Sequence, residues 1–279
     1  MLHTSRQLKA LVRNISGGNS VKAQIIIRNY VMERFLERLS ISRYRNNMIL
    51  KGGTLVTAMV GLDNRSTMDV DTTLKNIPLN EESARKIVEE ITEIQIDDGM
   101  TFEIKSVMSI MDELDYPGIR VMLDTAIERM HTPLKIDFST GDVITPREVS
   151  YSFRLLFEER DISILAYNLE TVLAEKVETL LSRGIANTRM RDFYDVYVLT
   201  NTQTHSMDRA TLKEAFTNTS KKRGSIGLLS DADLIVKEIE ESARLTDLWK
   251  SYQRKFDYAA DVLWEDVMEA VKRLVDIVK

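Results

Sequence analysis

The chain has 279 residues, 43% of them hydrophobic and 29% charged, enough to bury a substantial core as one large domain or two. It lacks cysteine, which excludes disulfides and thiolate metal sites, and its three histidines (His3, His131, His205) are too scattered for an imidazole metal site or a Ser-His-Asp triad. The net charge of −5 argues against tight non-specific DNA binding, while local basic clusters leave room for an RNA end. No apolar run reaches the roughly 18 residues of a membrane span and no signal-peptide core opens the chain, so a cytoplasmic protein without a membrane partner is expected.

Leu8, Leu11, Val12 and Ile15 recur at helical spacing and predict a short helix within residues 1–16, broken at Ser16-Gly17-Gly18-Asn19-Ser20. A second helix is expected over 21–39, where apolar positions mix with Arg28, Glu33, Arg34, Glu37 and Arg38. Arg43-Tyr44-Arg45 reads as a solvated turn before a strand, with RNA or phosphate contact as the alternative. A strand over 48–50 runs into Lys51-Gly52-Gly53, followed by a helix over 54–60, a polar loop over 61–67 and an acidic strand over 68–74. Asn80 caps a helix to about residue 94, with Glu81 and Glu82 in its first turn. Strands over 101–110 and 119–126 flank a hairpin-type loop at Asp115-Tyr116-Pro117-Gly118. Another strand over 134–138 follows Pro133, and one more is expected over 151–157.

From Asn168 the pattern turns helical. A helix over 168–183 is closed by Gly184, and others are expected over 189–201 and near 208–219, 230–240, 244–256 and 259–278. The fold class is therefore α+β: a mixed β-sheet with flanking helices, followed by a C-terminal helical bundle. The change of pattern near residue 160 predicts an α/β domain over 1–160 and a helical domain over 161–279.

Asp69 and Asp71 stand two apart on a strand and so share a face, while Val70 points back into the core. Two acids on one face repel unless a cation lies between them, an arrangement suited to Mg²⁺ (or Mn²⁺) bound together with a nucleoside triphosphate. Gly52 and Gly53 allow the backbone to approach phosphate and aim helix-start N–H groups at it, and Thr54 adds a hydroxyl. Lys135 and Asp137 share another strand face, which supplies a third carboxylate with a cation beside it. Three carboxylates on adjacent strands suit two-metal phosphoryl transfer.

Farther along, Lys176, Arg183, Arg189 and Arg191 bring cations to consecutive helices, and Asp192 and Asp195 lie three apart on one helical face. The plain alternative is a solvated helix pair with internal salt bridges. Tyr194 and Tyr197 read as packing rather than base stacking. Trp249, Tyr252, Phe256, Tyr258 and Trp264 read as bundle core, and Lys221-Lys222-Arg223-Gly224 as an exposed basic loop.

Lys51-Gly52-Gly53-Thr54, Asp69-x-Asp71 and Lys135-Ile136-Asp137 together resemble the nucleotidyltransferase superfamily of the DNA polymerase β type. Ala174-Glu175-Lys176-Val177, Ser182-Arg183-Gly184 and Arg191-Asp192-Phe193-Tyr194-Asp195 narrow the resemblance to the AbiEii/AbiGii toxin family of abortive-infection and toxin–antitoxin systems. The resemblance covers roughly residues 45–200. It implies a nucleotidyltransferase-like fold and a toxin that transfers a nucleotide from a nucleoside triphosphate to an RNA acceptor, with tRNA the leading one and a cognate antitoxin as partner.

By that resemblance Asp69 and Asp71 would hold the metals, and Asp137 would complete the metal site or activate the attacking hydroxyl. Gly53 and Thr54, with Gly52, would contact the triphosphate. Lys176 would neutralise phosphate charge, Asp192 would be the essential acid of the last motif, and the helical part would complete the active-site cleft. Arg65 and Lys135 are expected phosphate or substrate contacts, supported by Lys51, Glu175, Arg191 and Asp195. The superfamily's usual Gly-Ser reads Gly53-Thr54 here, which keeps the hydroxyl. Two other readings stay open: a GTP-binding regulatory module without transfer, and a small-molecule nucleotidyltransferase, which would not need the Asp192-x-x-Asp195 motif.

Overall fold

The structure, a computed structural model, describes residues 2–111 and 117–279; the loop expected at Asp115 and Tyr116 lies outside the described residues. The chain forms two compact units. The first comprises Met1–Ala58, Ser66–Asp142 and Val149–Ala166, and the second Met59–Arg65, Val143–Glu148 and Tyr167–Lys279.

The first unit is built on a mixed sheet of seven strands: β1 (Met48–Lys51), β2 (Asp69–Leu74), β3 (Met100–Met111), β4 (Pro117–Ile127), β5 (Met130–Thr140), β6 (Val149–Arg154) and β7 (Asp161–Ala166). Their order is β3-β4-β5-β2-β1-β7-β6; β2 runs parallel to β5 and β1 parallel to β7, and the other neighbours are antiparallel. Alternation fixes the two faces. Leu134, Ile136 and Phe138 of β5 are buried with Val70 of β2 and Val121 of β4, while Lys135 and Asp137 turn the other way. Helix α1 (Ser5–Ser16) packs on α2 (Ser20–Ile41), which covers β5 and β7; α3 (Gly52–Val60) follows β1 directly, and α4 (Glu81–Thr92) covers β3 and β4.

Two strand expectations need correction, and one strand was not expected. β5 starts at Met130, ahead of Pro133. At that position β5 is paired only with β4, because β2 joins from Lys135 onward, so a residue without an N–H is tolerated. The strand expected over 151–157 is β6, which ends at Arg154, where the chain turns back and Leu155 N–H donates to Arg160 O (3.2 Å). It pairs with β7, which the sequence reading passed over although Ile162, Ile164 and Ala166 alternate inward against Asp161 and Ser163.

Four of the charges that blurred α2, Glu33, Arg34, Glu37 and Arg38, are buried and paired. Arg38 donates to both oxygens of Asp98 (2.7 and 2.9 Å), Arg34 donates to Glu158 (3.1 Å), and Glu33 accepts from Leu156 N–H (2.9 Å). Burial, the largest influence on it, pushes the Glu33 carboxyl up to about 8. Arg43 and Tyr44 both donate to Glu90 of α4 (2.7 and 2.9 Å), so this cluster ties a turn to a helix.

The second unit is helical: α5 (Leu169–Arg183), α6 (Met190–Thr202), α7 (Arg209–Arg223), α8 (Ala232–Glu241), α9 (Ala243–Lys255) and α10 (Trp264–Val278). Asn168 caps α5 by accepting from Thr171 N–H (2.8 Å). α5 packs on α6 and α7, and α10 closes over α6 and α7. Trp249 and Trp264 are core residues, as expected for a bundle, and Trp249 Nε1–H donates to Val262 O (3.0 Å). The last helix begins at Trp264 rather than 259, after a 3₁₀ turn at Asp257–Ala259. Lys221-Lys222-Arg223 is the last turn of α7 rather than a loop, and Arg223 donates to Glu178 (2.5 Å) and Glu175 (3.2 Å). Among the described residues no helix is long and apolar enough to cross a membrane.

Candidate active site

Strand register lines four charged residues up across the first unit's sheet. Lys51 of β1 lies opposite Asp71 of β2, Asp71 opposite Asp137 of β5, and Asp137 opposite Arg120 of β4. Two register positions away, on the same face, Asp69 lies opposite Lys135. Lys135 Nζ is 2.6 Å from Asp69 Oδ2 and 3.9 Å from Asp137 Oδ2. Arg120 donates to both oxygens of Asp137 through Nε and Nη2, each at 2.8 Å. The three acids expected from the sequence therefore occupy one sheet face, interleaved with cations.

The Gly52-Gly53 turn is fitted to Asp71. Gly52 has φ +62°, and a Cβ there would lie 2.2 Å from Asp71 Oδ2, so no side chain fits. Gly53 N–H donates to the same oxygen (3.2 Å). Thr54 is buried, and its hydroxyl donates to Asp69 O (2.5 Å), which fastens α3 to the start of β2. The Thr54 hydroxyl thus supports the acidic strand instead of standing open for a triphosphate. Lys51 Nζ donates to Asp142 Oδ2 (2.7 Å), which also accepts from Ser139 Oγ (2.7 Å).

Electrostatics follow from this crowding. Burial, then the charges of Asp137 and Asp69, push the Asp71 carboxyl up to about 6, against the pull of Lys51 and the Gly53 N–H. Asp142 goes the other way: burial alone would raise it, but the Lys51 charge and bonds from Lys51, Ser139 and Thr73 hold it down at about 2. Among the described residues no three acids or histidines already enclose a metal-sized space, and Asp69 and Asp137 are held by Lys135 and Arg120. The donor chemistry nonetheless fits a hard divalent cation. Three carboxylates share one face and offer the oxygen donors such a cation takes.

The second unit carries the other cluster. Lys176 Nζ of α5 reaches Asp192 Oδ1 (2.5 Å) and Asp195 Oδ2 (2.8 Å) of α6, and Arg189 Nε reaches Asp192 Oδ2 (2.7 Å). Burial alone would lower the Lys176 ammonium, but Asp192 and Asp195 outweigh it and raise it. Burial likewise would raise Asp195, yet Arg65 and Lys176 hold it down at about 2. Lys176, Asp192 and Asp195, which the sequence puts on consecutive helices, meet in one cluster, and both acids are buried, unlike the solvated pair of the plain alternative.

Arg65 is a correction. Its side chain is 0% exposed, and its guanidinium donates from Nε to Asp195 Oδ1 (2.6 Å) and from Nη2 to Oδ2 (3.3 Å). It braces α6 and is not available as a phosphate contact. Glu175 is bound by Arg223, and Arg191 lies over the Phe256 ring (5.9 Å). Tyr194 is buried, and its hydroxyl donates to Asn64 O (2.6 Å), so it packs. Sequence reasoning missed Arg120 and Asp142. Arg120 alternates with Val121 on β4 and was visible as an outward cation; only the register names its partner.

The mixed sheet thus carries Gly-Gly at a strand–helix turn, Asp-x-Asp on the next strand and a further Asp on that strand's parallel neighbour, as the nucleotidyltransferase resemblance leads one to expect. The family described as nucleotidyl transferase AbiEii toxin, type IV TA (toxin–antitoxin) system, matches residues 34–273. The chain belongs to that family of nucleotidyltransferase toxins. Two Helicobacter pylori structures are similar to it. One, described as a candidate nucleotidyltransferase, is 17% identical over 91% of this chain and 94% of its own, with a TM-score of 0.51. The other, JHP933, is 18% identical over 91% of this chain and 93% of its own, with a TM-score of 0.48. The first of these shows a shared fold. Comparison with curated proteins found no match.

Proposed function

We propose that the chain is a metal-dependent toxin that transfers a nucleotide from a nucleoside triphosphate to an RNA acceptor, with tRNA as the acceptor, and that a cognate antitoxin opposes it. The observation that carries this reading is the single sheet face on which Asp69, Asp71 and Asp137 stand beside the Gly52-Gly53 turn. Asp69, Asp71 and Asp137 would hold Mg²⁺ (or Mn²⁺), which when bound neutralises triphosphate charge and polarises the reacting phosphoryl group. Lys51, held by Asp142 next to Gly52, and Lys135, between Asp69 and Asp137, would offer cations to the phosphate oxygens. In the helical unit the Lys176 ammonium is held by both Asp192 and Asp195.

In the transfer, an RNA hydroxyl oxygen bonds to the α-phosphorus and the bond from the α-phosphorus to the bridging oxygen breaks. Pyrophosphate leaves with the electron pair, and the hydroxyl proton passes to a carboxylate of this face or to water. Asp69→Asn and Asp71→Asn keep side-chain size and remove the charge. Expressed without antitoxin, the wild type arrests growth and each variant restores it. Arrest that persists at wild-type strength in both variants, at equal expression, would remove these acids from the site.

A further inference from the structure

Residues 1–32 contain Arg6, Lys9, Arg13, Lys22 and Arg28 and no Asp or Glu. The chain as a whole carries −5, so a segment of +5 stands against −10 in the remainder. This segregation lies in the α1–α2 hairpin and precedes the family match, which begins at residue 34. Arg6, Lys9 and Arg13 fall at i, i+3 and i+7 and so share one face of α1 over about 10 Å. All three are exposed, while Leu8 and Val12 on the other side are buried.

These cations differ from most others in the molecule. Arg34, Arg38, Arg120, Lys135 and Lys176 are each bound to a carboxylate. Arg6, Lys9 and Arg13 make no side-chain hydrogen bond or ion pair among the described residues. The acids nearby sit at the start of α1: Glu128 accepts from Ser5 N–H and Oγ–H and feels the charge of Lys9, and Asp97 lies 3.4 Å from His3. α2 connects this surface to the acidic strand. The Arg28 guanidinium contacts Met68 Sδ, next to Asp69, and Met32 Sδ lies 4.0 Å from Thr54 Oγ1.

We infer that the α1–α2 hairpin is the docking surface for the phosphate backbone of the RNA acceptor, gripping it away from its reacting end. The inference rests on the proposed RNA transfer. Phosphodiesters carry one negative charge per nucleotide, and a stripe of cations not already bound to carboxylates can displace the counterions condensed on them. A bilayer fits less well, because the apolar side of α1 is spent on α2.

The test compares wild type with the triple variant Arg6→Gln, Lys9→Gln, Arg13→Gln and with a control triple at Lys237, Lys250 and Lys272, all checked for helicity by circular dichroism. Binding of labelled bulk tRNA is measured by anisotropy at several salt concentrations. The α1 triple should bind at least about tenfold more weakly at 0.1 M salt, with a log–log salt slope shallower by roughly 2 to 3, and the control should not. Triphosphate binding by calorimetry should be unchanged in both. No RNA binding by wild type, or equal affinity and slope in the α1 triple, overturns the docking surface. So does loss of binding only to phosphatidylglycerol vesicles, which would assign the face to membrane. Weaker RNA binding without label transfer in wild type retains the surface and sinks the transfer reading. Wild-type transfer undiminished in the α1 triple at limiting RNA does the reverse.

Discussion

Gly52→Ala lowers stability by roughly 2–4 kcal/mol and abolishes nucleotide transfer. Two costs combine. At φ +62° an alanine costs about 1 kcal/mol relative to glycine. The new Cβ would also lie 2.2 Å from Asp71 Oδ2 and 2.8 Å from Asp71 Cβ. Asp71 is fixed by its strand, paired with Lys51 on one side and Asp137 on the other, so its backbone cannot retreat. The carboxylate must rotate off the Gly53 N–H and out of line with the other acids. A double-mutant cycle separates the two costs: in an Asp71→Gly background, Gly52→Ala should cost only about 1 kcal/mol. An equal penalty in both backgrounds, read from urea denaturation, would show that Asp71 is not what the glycine accommodates.

Asp195→Ala destabilises the helical unit by roughly 3–5 kcal/mol, the cost of leaving buried charge uncompensated. Its carboxylate serves Arg65 and Lys176 at once, at 2.6 and 2.8 Å, and both Asp195 and the Arg65 side chain are 0% exposed. Asp195→Asn keeps the shape, so its loss should be smaller and should depend on pH. The folded carboxyl is held down at about 2, below the roughly 3.9 of an unfolded aspartate. A depressed carboxyl stabilises the fold above the unfolded value, and that contribution fades as pH falls through about 2. The gap between wild type and Asp195→Asn should therefore be full at pH 5 to 7 and shrink from about pH 4 downward. A gap that stays constant from pH 7 to pH 3 would contradict a charge role for Asp195.

Local pattern carried the acids and the helices; pairing across distance carried the rest. Asp69-x-Asp71 and Lys135-x-Asp137 are readable because strand side chains alternate, but that Asp71 faces Asp137 depends on β2 lying beside β5, which no local spacing states. Arg120 was visible as an outward residue and silent about its partner for the same reason. Arg65 sits in a polar stretch that reads as surface, yet its partner lies 130 residues away and buries it. α2 looked mixed because Arg34 and Arg38 meet Glu158 and Asp98, neither of which its own periodicity can foresee. β7 is short and runs straight into the Asn168 cap of α5, so its alternation was overshadowed by the helix signal.

Transfer of a nucleotide to RNA by the acids on one sheet face is open to direct test. The direct measurement incubates the pure protein with total RNA, Mg²⁺ and each α-labelled nucleoside triphosphate in turn, beside Asp71→Asn. Label is expected in a tRNA-sized band with wild type and none with the variant. Label in no RNA with any of the triphosphates, from folded protein that binds them, would contradict it.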